Sequence, residues 1–231
     1  MELVIVGSIG YDDIETPIET GSDVLGGSAV HAGVSSSFHL PATPEGVRRV
    51  GLVAPIGRDF SNSHQSKLED LGIDFSGVEK LPGKTFRWSG RYSGTMENVE
   101  TISTEVNVLG DFSPKIPESW RSPNVLFCAN THPASQILVL DQCPSSEITA
   151  IDTFMLWIET EFESLSTALR KADLAILNEE EVCAISGEDF FMKAIGPILS
   201  GECLHGGKSA GSGPSGLIIK RASAGVFAHL P

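Results

Sequence analysis

Short, continuous apolar runs recur along the chain and are separated by polar or glycine-rich segments. Runs without polar alternation are typical of strands that are buried on both faces of a sheet. Segments with a helical pattern lie between several of these runs. Because strands and helices alternate, the pattern predicts an α/β fold with a mostly parallel central sheet and helices on both faces. The predicted strands are 3–6, 50–55, 125–128, 148–151, 174–177 and 217–220, with 225–228 pairing back on the last, and the predicted helices are 61–71, 161–171 and 179–186.

A different pattern begins at Lys84. Phe86, Trp88 and Tyr92 alternate with polar residues, which predicts an extended segment, and 101–109 is predicted to return beside it after a turn at 94–98. A hairpin inserted among strand–helix units indicates a small second sheet outside the main one. An ordinary hairpin at the edge of the main sheet is the alternative, and the residue pattern alone does not separate the two.

Two features near the start of the chain point to a binding site. The glycine pair Gly26-Gly27 opens a helix of small residues, and the loop predicted after the first strand carries Asp12 and Asp13. Glycine allows a ligand to come close to main-chain N–H groups, and a helix N-terminus favours polar or anionic groups. Ligands of open α/β sheets bind beyond the carboxyl ends of the strands. We therefore expect Asp12 or Asp13 and the glycine pair to face one pocket for a polar small molecule.

Several short motifs, in this order and spacing, resemble those of the ribokinase-like (PfkB-type) carbohydrate kinases. The resemblance implies a ribokinase-like three-layer fold in which 1–231 form one kinase domain, with lid strands at about 84–110 inserted into it. The motifs are Val6-Gly7-Ser8-Ile9-Gly10-Tyr11-Asp12, Gly26-Gly27-Ser28-Ala29, Val50-Gly51-Leu52-Val53 with Gly57-Arg58-Asp59-Phe60, 84–92, and Asn178-Glu179-Glu180-Glu181.

The resemblance also assigns roles on the acceptor side. Asp12 is expected to accept hydrogen bonds from sugar hydroxyls, as a carboxylate is suited to do. Gly26 and Gly27 are expected to contribute backbone groups. His31 stands where ribokinases carry a sugar-binding amide, so it keeps hydrogen-bonding ability but alters the expected substrate. Phosphorylation of a sugar or sugar-like hydroxyl is the implied reaction.

On the nucleotide side the resemblance implies ATP and Mg²⁺. Asn178 and Glu181 are expected to organise the magnesium and the phosphates, with Glu181 acting through water because Mg²⁺ dehydrates reluctantly. By itself, the same pair is explained by helix capping. Lys220 and Gly225 match positions near the nucleotide, whereas Ala222 replaces a glycine of the family pattern.

The family's catalytic aspartate belongs to a Gly-Ala-Gly-Asp motif, which is absent from these 231 residues. We therefore expect a C-terminally truncated kinase domain whose catalytic Asp would lie beyond Pro231, and no turnover by this chain. Two alternatives remain open: a non-catalytic sugar-binding or dimerisation module, and a nucleoside kinase fragment. A Rossmann oxidoreductase is disfavoured because Gly-x-Gly-x-x-Gly does not follow the first strand.

Composition narrows the partners. A net charge of −14 argues against binding to nucleic acid or to an anionic membrane, because such binding needs clustered Lys and Arg. The sequence has no secretory leader pattern, and its four cysteines are widely spaced, so a cytoplasmic protein with reduced thiols is expected. No structural metal is expected. The predicted partner is a small-molecule sugar, and a homodimer through the lid is a further expectation.

Overall fold

A computed structural model describes residues 1–94, 96, 98–110 and 112–231. The chain divides into two compact units, Met1–Pro117 and Glu118–Pro231.

The described residues of the first unit form two sheets and two α-helices. In its main sheet the parallel strands follow the order β1-β4-β5. Gly33 faces Leu52 and Ile73, so the absence of a side chain lets the first helix close onto this sheet. The elements are β1 (Leu3–Val6), β2 (Gly10–Glu15), β3 (Thr20–Gly26), α1 (Ser28–His39), β4 (Val50–Ile56), α2 (Asn62–Asp70), β5 (Ile73–Lys80), β6 (Phe86–Ser93) and β7 (Asn98–Glu105).

The small sheet has the order β3-β2-β6-β7, with β2 and β6 parallel and the other pairs antiparallel. A separate sheet built around 84–110 is therefore confirmed, and it is larger than the predicted hairpin. The loop predicted for Asp12 and Asp13 is wrong, since both lie on β2. That segment is extended because it pairs with strands on both sides, which outweighs its polar composition.

The returning strand ends earlier than predicted. Strand β7 stops at Glu105, and Asn107–Leu109 form a 3-10 turn. The Asn107 side chain donates a hydrogen bond to the Thr85 carbonyl oxygen (3.1 Å), which holds the turn against the start of β6. The turn predicted at 94–98 includes Thr95 and Glu97, which lie outside the described residues.

The second unit is a sheet of order β8-β9-β10-β11-β12 with five α-helices among its described residues. All pairs are parallel except the β11–β12 hairpin, as predicted. Fully buried aliphatic side chains such as Leu126, Ile151 and Leu165 form its core. The elements are β8 (Val125–Cys128), α3 (Pro133–Gln142), β9 (Ile148–Asp152), α4 (Met155–Thr160), α5 (Phe162–Lys171), β10 (Leu174–Asn178), α6 (Glu179–Ser186), α7 (Phe191–Leu199), β11 (Gly216–Lys220) and β12 (Val226–His229).

Candidate functional site

In the first unit, Ser8 joins the end of β1 to the start of α1. The Ser28 amide donates to Ser8 Oγ (3.0 Å), and the Ala29 amide donates to the Ser8 carbonyl oxygen (2.9 Å). Gly27 precedes the helix with φ +103°, and a Cβ placed there would lie 2.4 Å from the Ser8 oxygen. Glycine is therefore required at this position. Because Ser8 already engages two amides of the first turn, the helix start offers fewer groups to a ligand than the sequence suggests.

Asp12 and Gly26 are in direct contact. A Cβ placed on Gly26 would lie 2.1 Å from Asp12 Oδ2, so the carboxylate occupies the space that a side chain would fill. Burial raises the pKa of Asp12, the nearby imidazole of His31 opposes this shift, and Asp13 adds to it. His31 is exposed on the first turn of α1. The structure thus brings together Asp12, Gly26 and Gly27, with His31 within electrostatic range of the carboxylate.

An ion-pair network on the opposite face of the small sheet was not predicted. Asp59 Oδ1 accepts hydrogen bonds from the Thr85 amide (2.7 Å) and hydroxyl (2.8 Å). The Arg87 guanidinium lies 3.7 Å from Asp59, pairs with Asp23, and stands 5.2 Å from the centre of the Tyr11 ring. Although burial acts in the other direction, the Thr85 hydrogen bonds and Arg87 lower the pKa of Asp59. This network fixes the small sheet to the turn after β4.

In the second unit, Asn178 and Glu181 form a reciprocal capping box at the start of α6. Asn178 Oδ1 accepts from the Glu181 amide, and Glu181 Oε2 accepts from the Asn178 amide, each at 2.8 Å. Glu181 is only 3% exposed. Burial raises the pKa of Glu181, whereas the Asn178 hydrogen bond and Lys220 lower it. The capping role that the sequence offers for this pair is therefore present.

Lys220 is paired with a carboxylate at the end of a neighbouring strand. Its Nζ lies 3.0 Å from Asp152 Oδ1, and Asn178 is its register partner on β10. Burial raises the pKa of Asp152, and Lys220 opposes the shift. Asp152 is not among the site residues predicted from the sequence. Its position at the end of β9 is the signal that could have found it.

The turn between β11 and β12 carries the other predicted residue. Gly225 has φ +88° with open space around it, and its carbonyl oxygen accepts from the Arg221 amide (2.8 Å). Ala222, where the family pattern has glycine, also has a positive φ of +46°. The turn therefore keeps a left-handed position that suits glycine, but with an alanine in it.

The carboxylates of the second unit could hold Mg²⁺ only together with other ligands. Within the described residues, no group of three or more His, Cys, Asp or Glu side chains is placed to hold a metal ion. The oxygens of Asp152 and Glu181 are hard ligands, but both carboxylates are already bonded to protein groups. Such a set suits an ion held mainly by water and phosphate oxygens.

Among the described helices, none has the length and apolar character needed to cross a membrane.

No family model matches the sequence, and no curated protein matches it. Solved structures do match it, and they include ribokinases and a nucleoside kinase of the ribokinase family. At sequence identities this low the likeness concerns the fold, and the chain accordingly has a ribokinase-like fold, as the sequence predicts.

Three of these structures illustrate the likeness. Ribokinase from Giardia lamblia has a TM-score of 0.78 at 16% identity, covering 99% of this chain and 72% of that chain. A Burkholderia thailandensis nucleoside kinase in complex with inosine gives 0.72 at 13% identity, with 99% and 73% covered. Ribokinase from Cryptococcus neoformans var. grubii in complex with ADP gives 0.71 at 16%, with 100% and 76% covered.

Proposed function

We propose that the chain binds the two substrates of ATP-dependent phosphorylation of a hydroxyl group, with a sugar or nucleoside as acceptor. The first unit binds the acceptor, and the second unit binds the nucleotide. Solved structures of the same fold, which include ribokinases and nucleoside kinases, support this class of reaction.

The observation that carries the proposal is the contact between Asp12 and Gly26 beside the start of α1. A half-buried carboxylate next to glycine backbone can accept hydrogen bonds from two ligand hydroxyl groups while the ligand lies close to the main chain. His31, exposed on the first turn of α1, can add a hydrogen bond from its imidazole.

For the nucleotide, we propose Lys220, Asn178, Glu181 and Gly225, as the family resemblance implies, and we add Asp152. ATP would supply the phosphoryl group, and Mg²⁺ would offset the negative charge of the ATP phosphates. Lys220 can donate to phosphate oxygens once its pairing with Asp152 loosens, and Glu181 would act through water because it is buried. Gly225 leaves room for a ligand, since nothing lies within 4 Å of its Cβ position.

Calorimetric titration tests the proposal. Asp12→Ala should abolish binding of the sugar or nucleoside that the unaltered chain binds, and Lys220→Ala should weaken ATP binding. Asp13→Ala is the matched control, because Asp13 is the next residue on β2 and faces the other side of the sheet. If no sugar or nucleoside binds, or if the Asp12 and Asp13 variants behave alike, the proposal is wrong.

We further propose that these 231 residues bind without turnover, because the sequence contains no Gly-Ala-Gly-Asp motif to supply the base. A coupled ADP-release assay with the same ligands should then show no acceptor-dependent rate. An acceptor-dependent rate that is lost in Asp12→Ala would show the opposite.

The alternative, a non-catalytic sugar-binding or dimerisation module, is supported by the outer strand of the small sheet. Among the residues that the structure describes, β7 pairs with β6 alone, and Val99 and Ile102 are each at least half exposed. We propose that a second copy pairs along this edge, as unprotected edge strands allow. Sedimentation should show a dimer that Ile102→Lys converts to monomer.

We also propose a cytoplasmic location, consistent with four unpaired cysteines.

A further inference from the structure

One face of the small sheet carries three side chains that occupy the space where glycines lack a Cβ. In each case a Cβ on the glycine would meet the neighbouring side chain at 2.5 Å or less, so the glycine is what makes room for it. The pairs are Phe86 over Gly10, Asp12 over Gly26 and Trp88 over Gly90. The face therefore presents two aromatic rings and one carboxylate.

These three side chains belong to one surface. Asp12 and Trp88 are register partners on the parallel strands β2 and β6, so their side chains leave the sheet on the same side. Phe86 is two residues before Trp88 and points the same way. Asp12, Phe86 and Trp88 are all half-buried, so each keeps some accessible surface.

The Trp88 ring is held in a fixed orientation. A Cβ on Gly90 would lie 2.0 Å from Trp88 Cη2, which shows that the indole lies along the strand. Its Nε1 donates to Thr101 Oγ1 (3.2 Å), and Tyr92 packs against it edge-on with ring centres 6.4 Å apart. An indole whose N–H is already satisfied and whose plane is fixed can stack on a planar ligand with little loss of side-chain entropy.

The opposite face of the same sheet is engaged in structure. Tyr11 is only 4% exposed and stacks on Phe60, with its ring centre 5.8 Å away. Arg87 on the same face binds Asp23 and Asp59. The face of Asp12 and Trp88 is thus the one that remains available to a ligand.

We infer that the acceptor is a nucleoside, whose ribose hydroxyls donate to Asp12 while its base stacks on Trp88. This inference rests on the proposed function and names the substrate class of the same site. A free sugar would use the carboxylate but would leave the flat indole without a planar partner. Asp12 and the adjacent Asp13 also disfavour acceptors that already carry a phosphate, because like charges repel.

Calorimetric titration with adenosine, inosine, cytidine and free ribose tests the inference. The unaltered chain should bind at least one nucleoside about tenfold or more tightly than ribose, the range expected for one base stacked on an aromatic ring. Trp88→Ala should remove that advantage and leave ribose affinity within about twofold, while Trp88→Phe should retain part of it. Trp157→Phe, in the second unit, is the control and should change neither affinity. Thermal melting of each variant confirms that it is folded.

The outcomes separate this inference from the proposed function. If ribose binds through Asp12 and nucleosides bind no more tightly, the nucleoside assignment is overturned while the proposed function stands. Equal weakening of ribose and nucleosides by Trp88→Ala also overturns it. If none of the four ligands binds, the proposed function fails, and the inference fails with it.

Discussion

At the scale of single residues, the first unit depends on positions where backbone and side chains come unusually close. Gly27 has a positive φ and lies against the Ser8 carbonyl, and Gly26 lies against Asp12. Both glycines were singled out in the sequence, but the sequence did not show that their close neighbours are protein atoms. The contact between Gly26 and Asp12 forms only when β3 folds back onto β2.

Gly27→Ala should destabilise the chain by at least about 1–2 kcal/mol, the usual cost of a left-handed conformation for a residue with a Cβ. The new Cβ would also lie 2.4 Å from the Ser8 carbonyl oxygen, which adds to this cost. The backbone of Ser8 cannot easily move away, because Ser8 is hydrogen-bonded to the start of α1. Urea unfolding measures the loss. Gly46→Ala is a useful comparison, since Gly46 also has a positive φ but has nothing within 4 Å of its Cβ position. Equal losses in the two variants would show that the Ser8 contact is unimportant.

Ala222→Gly should stabilise the chain by about 1 kcal/mol, because Ala222 occupies a left-handed conformation that costs glycine almost nothing. The extra freedom of glycine in the unfolded chain offsets part of this gain. Thermal melting is the measurement. A lower melting temperature for the glycine variant would mean that the turn between β11 and β12 does not adopt this conformation in solution.

Asp12→Asn should raise the stability at neutral pH. Burial raises the pKa of Asp12 in the folded state, so the ionised carboxylate is less favourable there than in the unfolded chain. The resulting penalty is absent below the unfolded pKa, grows as pH rises through the interval up to the folded pKa, and is constant above it. Melting temperatures of the two proteins should therefore differ at about pH 7 and converge near about pH 3. A variant less stable at neutral pH would contradict this.

At the scale of elements, the sequence predicts strands that are buried on both faces and misses those that are not. All six predicted main-sheet strands are present. Strand β3 was missed because its residues are mostly polar and exposed, so only pairing with β2 makes it extended. Helix α7 was missed because Pro197 and Gly196 suggest an end, yet the helix continues through them to Leu199.

The loop between α7 and β11 shows a similar limit. Its glycine- and serine-rich composition predicts an irregular segment, which the structure has. Its anchoring is not visible in the sequence: the Arg170 guanidinium donates to the carbonyl oxygens of Gly201, Gly207 and Gly211. Gly207–Ala210 form a short 3-10 turn, and Lys208 within it pairs with Glu202.

Helix α6 provides a prediction at this scale. Asn178→Ala should destabilise the second unit by about 1 kcal/mol, because it removes the side chain that accepts a hydrogen bond from the Glu181 amide. Asn178→Asp should retain most of the stability, because aspartate also accepts from the Glu181 amide. Urea unfolding distinguishes the variants. If alanine and aspartate were equally destabilising, the cap would not be the reason for asparagine at this position.

At the scale of the whole molecule, the chain has a ribokinase-like fold and spans about three quarters of the solved structures it resembles. Asp12, Gly26 and Gly27 lie together in the first unit, and Asn178, Glu181 and Lys220 lie together in the second. Motif resemblance selects both groups from the sequence, and their roles in binding are proposals.

The alternation of Phe86, Trp88 and Tyr92 indicates that these rings share one side of a strand. The sequence does not show that Asp12 lies on the same face, because this depends on the register of β2 and β6. Nor does it show that Arg87 pairs with Asp23 and Asp59, because these residues meet only in the folded chain.

The most direct test of the account is the affinity of the acceptor as a function of pH, compared between the unaltered chain and Asp12→Asn. Hydroxyl groups that donate to Asp12 bind its ionised form, so the affinity should increase as pH rises through the pKa of Asp12 and then level off. The asparagine variant should bind more weakly at neutral pH and lose this pH dependence. Identical affinities and pH profiles for the two proteins would contradict the claim that Asp12 holds the acceptor.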